Sequence, residues 1–267
     1  MTGKDMEKVF IIKIGGNVLD NSGSLSSFLK DFAAISQLKI LIHGGGKIAT
    51  RIGDQLGIQS KYIDGRRITD AQTRDLVTMV YGGLVNKQIV SALQALGCNA
   101  LGLTGADGNV ISAVKRPVKE IDYGFVGDIQ AKDVNASWLN MLLTKGFVPI
   151  FAPLTHAAGA MLNTNADTIA SVLAVALGSL YDVRLIYCFE KKGVLRDVDN
   201  ANSVIHHLPK NLYRELLGEK ALADGILPKL ENAYAAIEAG VKEVLIGEAG
   251  DILKNTGEKT EGTLITA

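Results

Sequence analysis

The sequence contains little of what marks a secreted, membrane-spanning or nucleic-acid-binding protein. Its two cysteines, Cys98 and Cys188, lie in apolar runs without metal-ligand spacing, so we expect buried free thiols in a reducing compartment. The 28 Lys and Arg residues balance 28 Asp and Glu residues, which leaves no general positive charge to attract nucleic acid or an anionic membrane. No apolar run approaches the roughly 18 residues of a membrane span, and no apolar signal segment begins the chain. We therefore predict a cytoplasmic protein whose partners are small molecules or proteins.

What the sequence does contain is a regular alternation of short apolar segments with longer helical patterns. The apolar segments are rich in β-branched residues and predict strands at residues 9–14, 39–43, 99–103, 147–152, 183–188 and 243–246. Such alternation predicts βαβ units around a parallel sheet with helices on both faces, an α/β fold. With 267 residues, 47% of them hydrophobic, the chain can bury a large core.

Three segments add detail to this pattern. Residues 60–68 and 109–132 have short strand-like patterns that predict hairpins or edge strands outside the main sheet. The helix that begins at Ala166 is apolar almost all round, which predicts a buried helix with a firmly held N-terminal end. No linker interrupts the chain, so a division into two lobes would fall within one continuous fold, near residues 178–182.

The segment KILIHGGGKIAT, residues 39–50, joins a predicted strand to a predicted helix through three glycines. A hydrolase could use such a turn as an oxyanion hole, but the chain has no G-x-S-x-G nucleophile motif. A Walker A loop would need Gly at position 41 and Ser or Thr at position 48, where this chain has Leu and Ile. A dinucleotide-binding turn stays open, because Gly44, Gly46 and Ala49 fit its spacing and Asp64 follows about twenty residues later.

A second predicted strand ends in a similar way. The segment VFIIKIGGN places Lys13 at the end of an apolar strand and follows it with Gly15, Gly16 and Asn17. Neighbouring strands of a parallel sheet deliver their C-terminal loops to one crevice, where ligands of open α/β folds bind. Glycine turns let backbone N–H groups face an anion, and a buried lysine needs an anionic partner, although a lysine at a strand end can also extend to solvent. The two turns together indicate an anion site beside Lys13.

Three more segments carry polar residues suited to anionic ligands. In NTNADT, Asn165 can cap the buried helix and Asp167 lies in its first turn, while capping does not explain Asn163. DGRRIT contains two arginines, whose planar guanidinium groups suit carboxylates, although such pairs also occur on plain surfaces. Lys229 follows Pro228 at a predicted helix start, where its charge opposes the helix dipole unless an anion lies near or the lysine is solvated.

The chain carries a series of motifs in fixed order: IIKIGGN, LIHGGGKIAT, DGRRIT, VNKQIV, LGLTGADGNVI, GFVGDI, GFVPIFAP, NTNADTIASVLA, GVL, GILPKLENAYAAIEAGV and GTLI. In this order they resemble the amino acid kinase family over essentially the whole chain, and within it the members that phosphorylate N-acylated glutamate in arginine biosynthesis. The resemblance implies an open αβα sandwich with a mainly parallel central sheet. It also implies that an N-terminal lobe, residues 1–180, binds the acyl amino acid and forms a dimer, while a C-terminal lobe, residues 181–267, binds MgATP.

The resemblance assigns roles to the charged candidates. Lys13 and Lys229 would neutralise charge on the phosphoryl group during its transfer, and Asp167 would hold the two ammonium groups in position. No histidine would be needed as a base, so His43 would pack and form hydrogen bonds. Mg²⁺ would be held mainly by the nucleotide phosphates and water, so no protein metal cluster is expected.

The resemblance also assigns the binding residues. The transferred phosphoryl group would be met by Gly15, Gly16 and Gly44. The acyl amino acid would be bound by Gly44, Gly45, Arg67 and Asn163. The nucleotide would lie along Glu190, Gly193, Leu195, Ala221 and Gly225.

Several segments differ from the usual family pattern. Phe189 and Glu190 stand where related kinases usually have Thr or Ser followed by Asp, and VLIGEAG at 244–250 replaces the usual HIIDGR. The family pattern therefore predicts phosphate contacts here better than adenine or ribose contacts. LTHAAGAML at 154–162 also differs, beside the expected acyl pocket. We expect N-acetyl-L-glutamate as the acceptor and keep N-succinyl-L-glutamate as a second hypothesis.

The first predicted strand begins within ten residues of the start. The sequence thus does not show the long N-terminal helix that, by the same resemblance, marks the arginine-sensitive hexameric form. The resemblance thus implies an arginine-insensitive homodimer. The alternatives are a family member that phosphorylates uridylate, carbamate, aspartate or glutamate, a non-catalytic nucleotide sensor of the same fold, and a Rossmann dehydrogenase. DGRRIT and NTNADT favour the acyl-glutamate branch.

Overall fold

The computed structural model describes residues 6–63, 65–197, 199–200, 202–218, 222 and 226–267. Its strands are β1 (Lys8–Ile14), β2 (Leu38–His43), β3 (Lys61–Ile63), β4 (Arg66–Ile68), β5 (Ala100–Leu103), β6 (Val114–Lys115), β7 (Gly127–Asp128), β8 (Val148–Phe151), β9 (Leu154–Ala157), β10 (Ala160–Asn163), β11 (Asp182–Phe189), β12 (His207–Pro209), β13 (Glu243–Glu248) and β14 (Thr263–Thr266).

The helices are α1 (Gly16–Asp20), α2 (Ser22–Ala34), α3 (Gly46–Gln55), α4 (Ala71–Val77), α5 (Asn86–Ala95), α6 (Ala136–Thr144), α7 (Ala166–Leu177), α8 (Lys210–Gly218), α9 (Leu227–Glu238) and α10 (Ile252–Asn255). A π-helical segment, Thr78–Val85, joins α4 and α5 into one continuous helix. Several helices begin at a side chain that accepts a hydrogen bond from a backbone N–H of the first turn, which satisfies donors that a helix start leaves free. These caps are Asn21, Asp70, Asn135 and Asn165.

The main sheet has eight strands in the order β12-β14-β13-β11-β1-β2-β8-β5. Its strands from β13 to β5 run parallel, and β14 lies antiparallel to β13 at one side. The predicted parallel sheet is therefore confirmed. Two predicted hairpins outside it are also confirmed, as the pairs β3/β4 and β6/β7. A third hairpin, β9/β10, was not predicted.

Alternate side chains of β1 enter two different hydrophobic cores. Val9 and Ile11 pack with the buried side chains of α7, while Phe10 and Ile12 pack with those of α2 and α5 on the opposite face. Lys13 follows the same alternation and therefore points to the α7 face. On β2, Leu41 belongs to the α2 and α5 face, and His43, two residues later, points the same way.

Helix α7 is buried as its apolar sequence predicts. Its side chains Ile169, Leu173 and Leu177 have no solvent exposure, and it packs on β1, β11 and α9. Because the helix is held along its length, the position of its first turn relative to the end of β1 is fixed.

The continuous helix Ala71–Ala95 is, among the helices described, the one that has the length and apolar character of a membrane span. Its side chains Leu76, Val77 and Leu93 are fully buried in the core on the α2 side of the sheet. A core helix of a globular fold passes the same test of length and composition, so this feature alone gives no membrane assignment.

Candidate active site

Lys13 and Asp167 form an ion pair at the C-terminal edge of the sheet. The Lys13 ammonium lies 2.9 Å from Oδ1 of Asp167, in the first turn of α7. Asn165 holds that turn, because its side chain accepts hydrogen bonds from the backbone N–H groups of Asp167 and Thr168. The lysine and aspartate side chains remain 15% and 27% exposed, so a ligand can reach both. The pair places a fixed positive charge beside the first glycine turn.

Lys13, Gly15, Gly16, Glu190 and Lys229 line one small cavity of about 130 Å³. The structure thus brings together residues from β1, α1, the end of β11 and the start of α9, which are far apart in sequence. An ideal Cβ at Gly15 would lie 3.6 Å from Nζ of Lys13, so the backbone passes close to the ammonium group. This cavity combines two ammonium groups with glycine backbone, the combination that suits a phosphoryl group.

The Lys229 ammonium contacts an aromatic ring. Its Nζ lies 4.6 Å from the centre of the Phe189 ring, a cation–π contact. Within the described part of the chain, Asp167 pairs with Lys13 and with no second lysine. The expected bridge from Asp167 to Lys229 is therefore replaced in this structure by the contact with Phe189, at a position where the sequence differs from the family pattern that it resembles.

Cys188 also lines the small cavity. Burial raises the pKa of its thiol to about 12, which keeps the sulfur protonated and unreactive as a nucleophile. The thiol is therefore a wall of the cavity and takes no chemical part.

A larger cavity of about 350 Å³ lies beside the second glycine turn. Gly44, Gly45, Arg67 and Asn163 all line it, so four residues predicted to bind the acyl amino acid share one space. Ala166 and Thr168, on either side of Asp167, line it as well. The first turn of α7 therefore borders the larger cavity and, through the Asp167–Lys13 pair, the smaller one.

Arg67 is buried, at 6% exposure, and is anchored to the second glycine turn. Its Nη2 donates hydrogen bonds to the Gly46 carbonyl at 2.8 Å and to Oγ1 of Thr50 at 2.9 Å, and its Nη1 donates to Ser60. Cζ of the guanidinium lies 4.8 Å from the ring centre of Tyr62. A guanidinium held in this way presents its free N–H groups in one orientation.

Asn163 lies at the end of β10 and donates from Nδ2 to Oγ1 of Thr69 at 3.0 Å. Since this bond uses a donor of the amide, its oxygen stays free to accept a hydrogen bond from a ligand in the larger cavity. Asn163 and Arg67 come from two hairpins outside the main sheet, and Thr69 lies directly after the β4 strand that carries Arg67.

The two glycine turns are joined by a hydrogen bond. The Gly44 N–H donates to the Ile14 carbonyl at 3.0 Å, so Gly44 can approach a ligand only through its Cα. In the described residues, Gly45 N–H has no backbone acceptor. The three heavy atoms nearest to an ideal Cβ at Gly44 are the Ile14 oxygen and two backbone atoms of Gly15, at 3.7 to 3.9 Å, which is ordinary contact. The fold itself therefore tolerates a side chain at position 44.

The residues predicted to bind the nucleotide do not all lie at one cavity. Glu190 lines the small cavity, whereas Gly193 and Leu195 lie in neither cavity. An ideal Cβ at Gly193 would lie 2.6 Å from Oγ1 of Thr263, and Leu195 is 9% exposed and bridges to Val204. Ala221 and Gly225 lie outside the described residues.

The sequence did not predict several residues at this site, among them Tyr81, Asn86, Arg116 and Arg66. Tyr81 and Arg116 line the larger cavity, and Asn86 contacts His43 behind it. Arg66 lines the larger cavity as well, and the doubled arginine in DGRRIT was a signal for it. Tyr81 and Asn86 lie in an apolar helical pattern that gives no such signal. Lys47 is 69% exposed and bonds Asn17 on the solvent side.

The fold and the site define an open, mainly parallel α/β protein whose candidate ligand site lies where the strand order reverses. Strand β1 has β11 on one side and β2 on the other, and both glycine turns and both lysines meet at this switch point. The sequence model of the Amino acid kinase family matches residues 8–248, and the chain belongs to this family.

Comparison with known proteins agrees with this assignment. The chain is 56% identical over 252 residues to a protein of Phocaeicola vulgatus named acetylglutamate kinase, covering 94% of this chain and 97% of that protein. It is 57% identical over 254 residues to a protein of Bacteroides thetaiotaomicron named acetylglutamate kinase, covering 95% of this chain and 98% of that protein. Among solved structures, N-acetylglutamate synthase from Neisseria gonorrhoeae, complexed with coenzyme A and N-acetyl-glutamate, has a TM-score of 0.80 at 21% identity. The match covers 98% of this chain and 59% of the synthase, which shows a shared fold.

Proposed function

We propose that this protein is an ATP-dependent kinase that transfers the γ-phosphoryl group to the γ-carboxylate of N-acetyl-L-glutamate, a step of arginine biosynthesis. Relatives named acetylglutamate kinase, identical at 56 to 57% of positions over almost their whole length, support this reaction. The observation that carries the site is the Lys13–Asp167 pair, which lies between a small cavity rich in cations and a larger cavity lined by Arg67 and Asn163.

In this proposal the acyl amino acid occupies the larger cavity. The guanidinium of Arg67 pairs with the α-carboxylate, and the Asn163 oxygen accepts a hydrogen bond from the acylated nitrogen. Gly44 and Gly45 carry no side chain, so the γ-carboxylate can lie against their backbone and reach the small cavity. These four residues lie within the proposed N-terminal lobe, residues 1–180, while Asn232 of α9 also lines the larger cavity.

The phosphoryl group in transfer occupies the small cavity. Lys13 approaches it from the substrate side and Lys229 from the nucleotide side, while Gly15 and Gly16 face its oxygens. Phosphoryl transfer to a carboxylate brings two anions together through a loose transition state, so catalysis requires mainly positioning and fixed positive charge. The acceptor needs no general base, because a glutamate γ-carboxylate with a pKa of about 4.3 is already ionised at neutral pH.

The nucleotide lies over residues 181–267 in this proposal, with Glu190 at the phosphate end. Glu190 is the one carboxylate among the described residues that line the small cavity. Oxygen ligands suit Mg²⁺, and an ion that keeps phosphate and water ligands needs few from the protein. Glu190 would thus contact the hydrated ion while the nucleotide phosphates hold it.

Trapping of the product tests this function. The purified protein, MgATP and hydroxylamine are incubated with N-acetyl-L-glutamate, glutamate, aspartate, uridylate or carbamate, and acyl hydroxamate and ADP are measured. We expect hydroxamate with N-acetyl-L-glutamate. Turnover with another acceptor alone would assign another member of the family. Thermal stabilisation by NAD(P) but not by MgATP would contradict the kinase assignment.

Two lysines of the same strand give a matched pair of variants. Lys13→Ala should lower turnover roughly 10²- to 10³-fold, because it removes a fixed charge that faces the transition state. Lys8→Ala removes a lysine paired with Asp182 at 3.0 Å and Glu243 at 2.9 Å at the other end of β1, and should leave turnover unchanged. Equal turnover of both variants would contradict the role of Lys13.

A longer, anionic acyl group is a second candidate. Arg66, Arg116 and Asp128 line both the larger cavity and an adjoining cavity of about 400 Å³, which Lys119 and Glu120 also line. Arg116 is paired with Asp128 at 2.6 Å, so Arg66 and Lys119 are the cations that would meet a further carboxylate at the acyl end of the site. This space would accept the carboxylate of a succinyl group. The ratio of kcat/KM for N-succinyl- and N-acetyl-L-glutamate decides between them, and equal or better use of the acetyl substrate rejects the succinyl hypothesis.

The dimer and the cytoplasmic location belong to the same proposal. Met79 and Leu84 are 57% and 41% exposed on the long helix, apolar side chains that a second copy could cover. We propose a homodimer that arginine does not inhibit. Light scattering and an activity assay with added arginine test it, and a hexamer or inhibition by arginine would contradict it.

A further inference from the structure

His43 lies beneath the second glycine turn on the face of the sheet opposite Lys13. Its side chain has no solvent exposure. Nδ1 lies 2.6 Å from the carbonyl oxygen of Gly44, and Nε2 lies 3.2 Å from Nδ2 of Asn86. The imidazole thus joins the turn that lines the larger cavity to the helix behind it.

The hydrogen-bond partners assign the protonation of the ring. A carbonyl oxygen only accepts, so Nδ1 carries the proton and donates to Gly44. The Asn86 amide nitrogen donates to the Ile150 carbonyl at 2.9 Å and to Nε2 of His43, which is therefore unprotonated. Oδ1 of Asn86 accepts from Lys87 at 3.2 Å, which agrees with this amide orientation. Burial lowers the pKa of His43 to about 4, so the ring stays neutral at neutral pH.

This bond orients the peptide between Gly44 and Gly45. The C=O and N–H of a trans peptide point in opposite directions. Because the Gly44 carbonyl is turned inward to His43, the Gly45 N–H is turned away from the core. Gly45 lines the larger cavity, and its N–H has no backbone acceptor among the described residues. A free N–H at this position can donate to a carboxylate or to a phosphoryl oxygen.

The continuous helix Ala71–Ala95 contacts both the second glycine turn and His43. An ideal Cβ at Gly45 would lie 2.9 Å from Cδ1 of Tyr81, so the Tyr81 ring packs directly on the turn. Tyr81 lies within the π-helical segment, and Asn86 follows directly where that segment ends. π-Helical turns are often found at functional sites, and this one allows Tyr81 and Asn86 to face the same turn.

We propose that His43, held by Asn86, is a positioning residue that aims the Gly45 N–H at the acyl-glutamate γ-carboxylate or the phosphoryl group in transfer. This inference rests on the proposed kinase function. His43 acts through the Gly44–Gly45 peptide and does not itself touch the substrate. Without its bond to Gly44 the glycine peptide can rotate, since glycine restrains its backbone little.

Two amide substitutions separate positioning from packing. In His43→Asn, the side-chain amide reaches the position that Nδ1 has in the wild type, and it can still donate to the Gly44 carbonyl. The longer side chain in His43→Gln reaches the place of Nε2, so it can keep the bond to Asn86 but not the bond to Gly44. We expect kcat to fall about 10- to 100-fold in His43→Gln and less than about fivefold in His43→Asn, with KM for MgATP little changed in both. A role in packing alone predicts the reverse order, since Gln is closer to His in volume.

Two further variants keep the proposal testable if a His43 variant does not fold. Asn86→Ser keeps His43 but removes the hydrogen bond to its Nε2, so the ring is held less firmly. The kcat of the folded fraction should therefore fall. Tyr181→Phe deletes the hydrogen bond from the buried Tyr181 side chain to Asn140, far from both cavities, and should lower Tm without lowering kcat. An unchanged kcat in folded Asn86→Ser, or a kcat of His43→Gln at or above that of His43→Asn, would overturn the proposal.

Crystal structures of the two His43 variants give a readout that does not depend on activity. The Gly44 carbonyl should keep its direction in His43→Asn and rotate in His43→Gln, and an unmoved peptide in His43→Gln would overturn the proposal. A wild type without activity on any acceptor would contradict the kinase function, whereas an active wild type with an unmoved peptide contradicts the positioning role alone.

Discussion

Alanine substitutions at Gly44 and Gly45 separate what the fold requires from what a ligand requires. At Gly45 the backbone φ is 154°, and an ideal Cβ would lie 2.9 Å from the Tyr81 ring. Overpacking of a core contact costs about 1–3 kcal/mol, and an unfavourable backbone region about 1–2 kcal/mol more. We therefore expect Gly45→Ala to destabilise the protein by about 2–5 kcal/mol, which lowers Tm by roughly 4–20 °C for a chain of this size.

At Gly44 the fold offers no such obstacle. Its φ is not positive, and the nearest atoms to an ideal Cβ are backbone atoms of Ile14 and Gly15 at 3.7 to 3.9 Å. Gly44→Ala should therefore leave Tm unchanged or raise it slightly, because alanine restricts the unfolded chain. The added methyl group would lie between the two glycine turns, where the proposed reaction takes place. A displacement of about 1 Å there lowers turnover about 100-fold, so kcat/KM should fall by at least that factor.

The assay pairs thermal unfolding with hydroxamate formation for each variant. Gly57→Ala is the control, since Gly57 has a φ of 75° with nothing within 4 Å of an ideal Cβ, and it should lose about 1 kcal/mol with full activity. Full activity of Gly44→Ala would refute the reasoning, because it would mean that no ligand approaches that backbone. A loss of stability in Gly44→Ala equal to that in Gly45→Ala would refute it as well.

Three further predictions concern charged and titrating groups. Lys229→Met should lower kcat roughly 10²- to 10³-fold in steady-state assays with little change in Tm, because its ammonium contacts the Phe189 ring and no carboxylate among the described residues. Arg67→Lys should raise KM for the acyl amino acid about tenfold or more, since lysine lacks the planar fork, and an unchanged KM would contradict the carboxylate contact. Burial lowers the pKa of His43 from 6.5 to about 4, so between these values only the unfolded chain binds the proton and stability falls as pH falls. The free energy of unfolding of the wild type and of His43→Asn is measured with denaturant at pH 7 and at pH 4. Between these pH values the wild type should lose about 3 kcal/mol more stability than His43→Asn.

The sheet and the direction of Lys13 could be predicted from the sequence because both follow from local patterns. Apolar β-branched segments that alternate with helices define the parallel sheet, and a period of two along VFIIKI places Lys13 on the face of Val9 and Ile11. Apolar character all round the segment from Ala166 predicted the buried helix whose first turn carries Asp167.

Other features depend on contacts between distant segments, and the local sequence carries no sign of them. The hairpin β9/β10 lies in a segment with little strand pattern, and it brings Asn163 to the larger cavity. The π-helical segment interrupts a helix whose sequence reads as regular, yet it sets the places of Tyr81 and Asn86. His43 was expected to pack and form hydrogen bonds, and the structure confirms both, but its partners lie 43 residues away or in the adjacent glycine turn.

The central claim is that a carboxylate oxygen of the acyl amino acid attacks the γ-phosphorus of ATP. N-acetyl-L-glutamate labelled with ¹⁸O in its γ-carboxylate tests this directly, with hydroxylamine present to trap the product and the released phosphate measured by mass spectrometry. Hydroxylamine attacks the acyl carbon, so the bridging oxygen leaves with the phosphate. We predict one ¹⁸O in each phosphate released and one hydroxamate for each ADP. Phosphate without the label, or ADP formed without hydroxamate, would contradict the account.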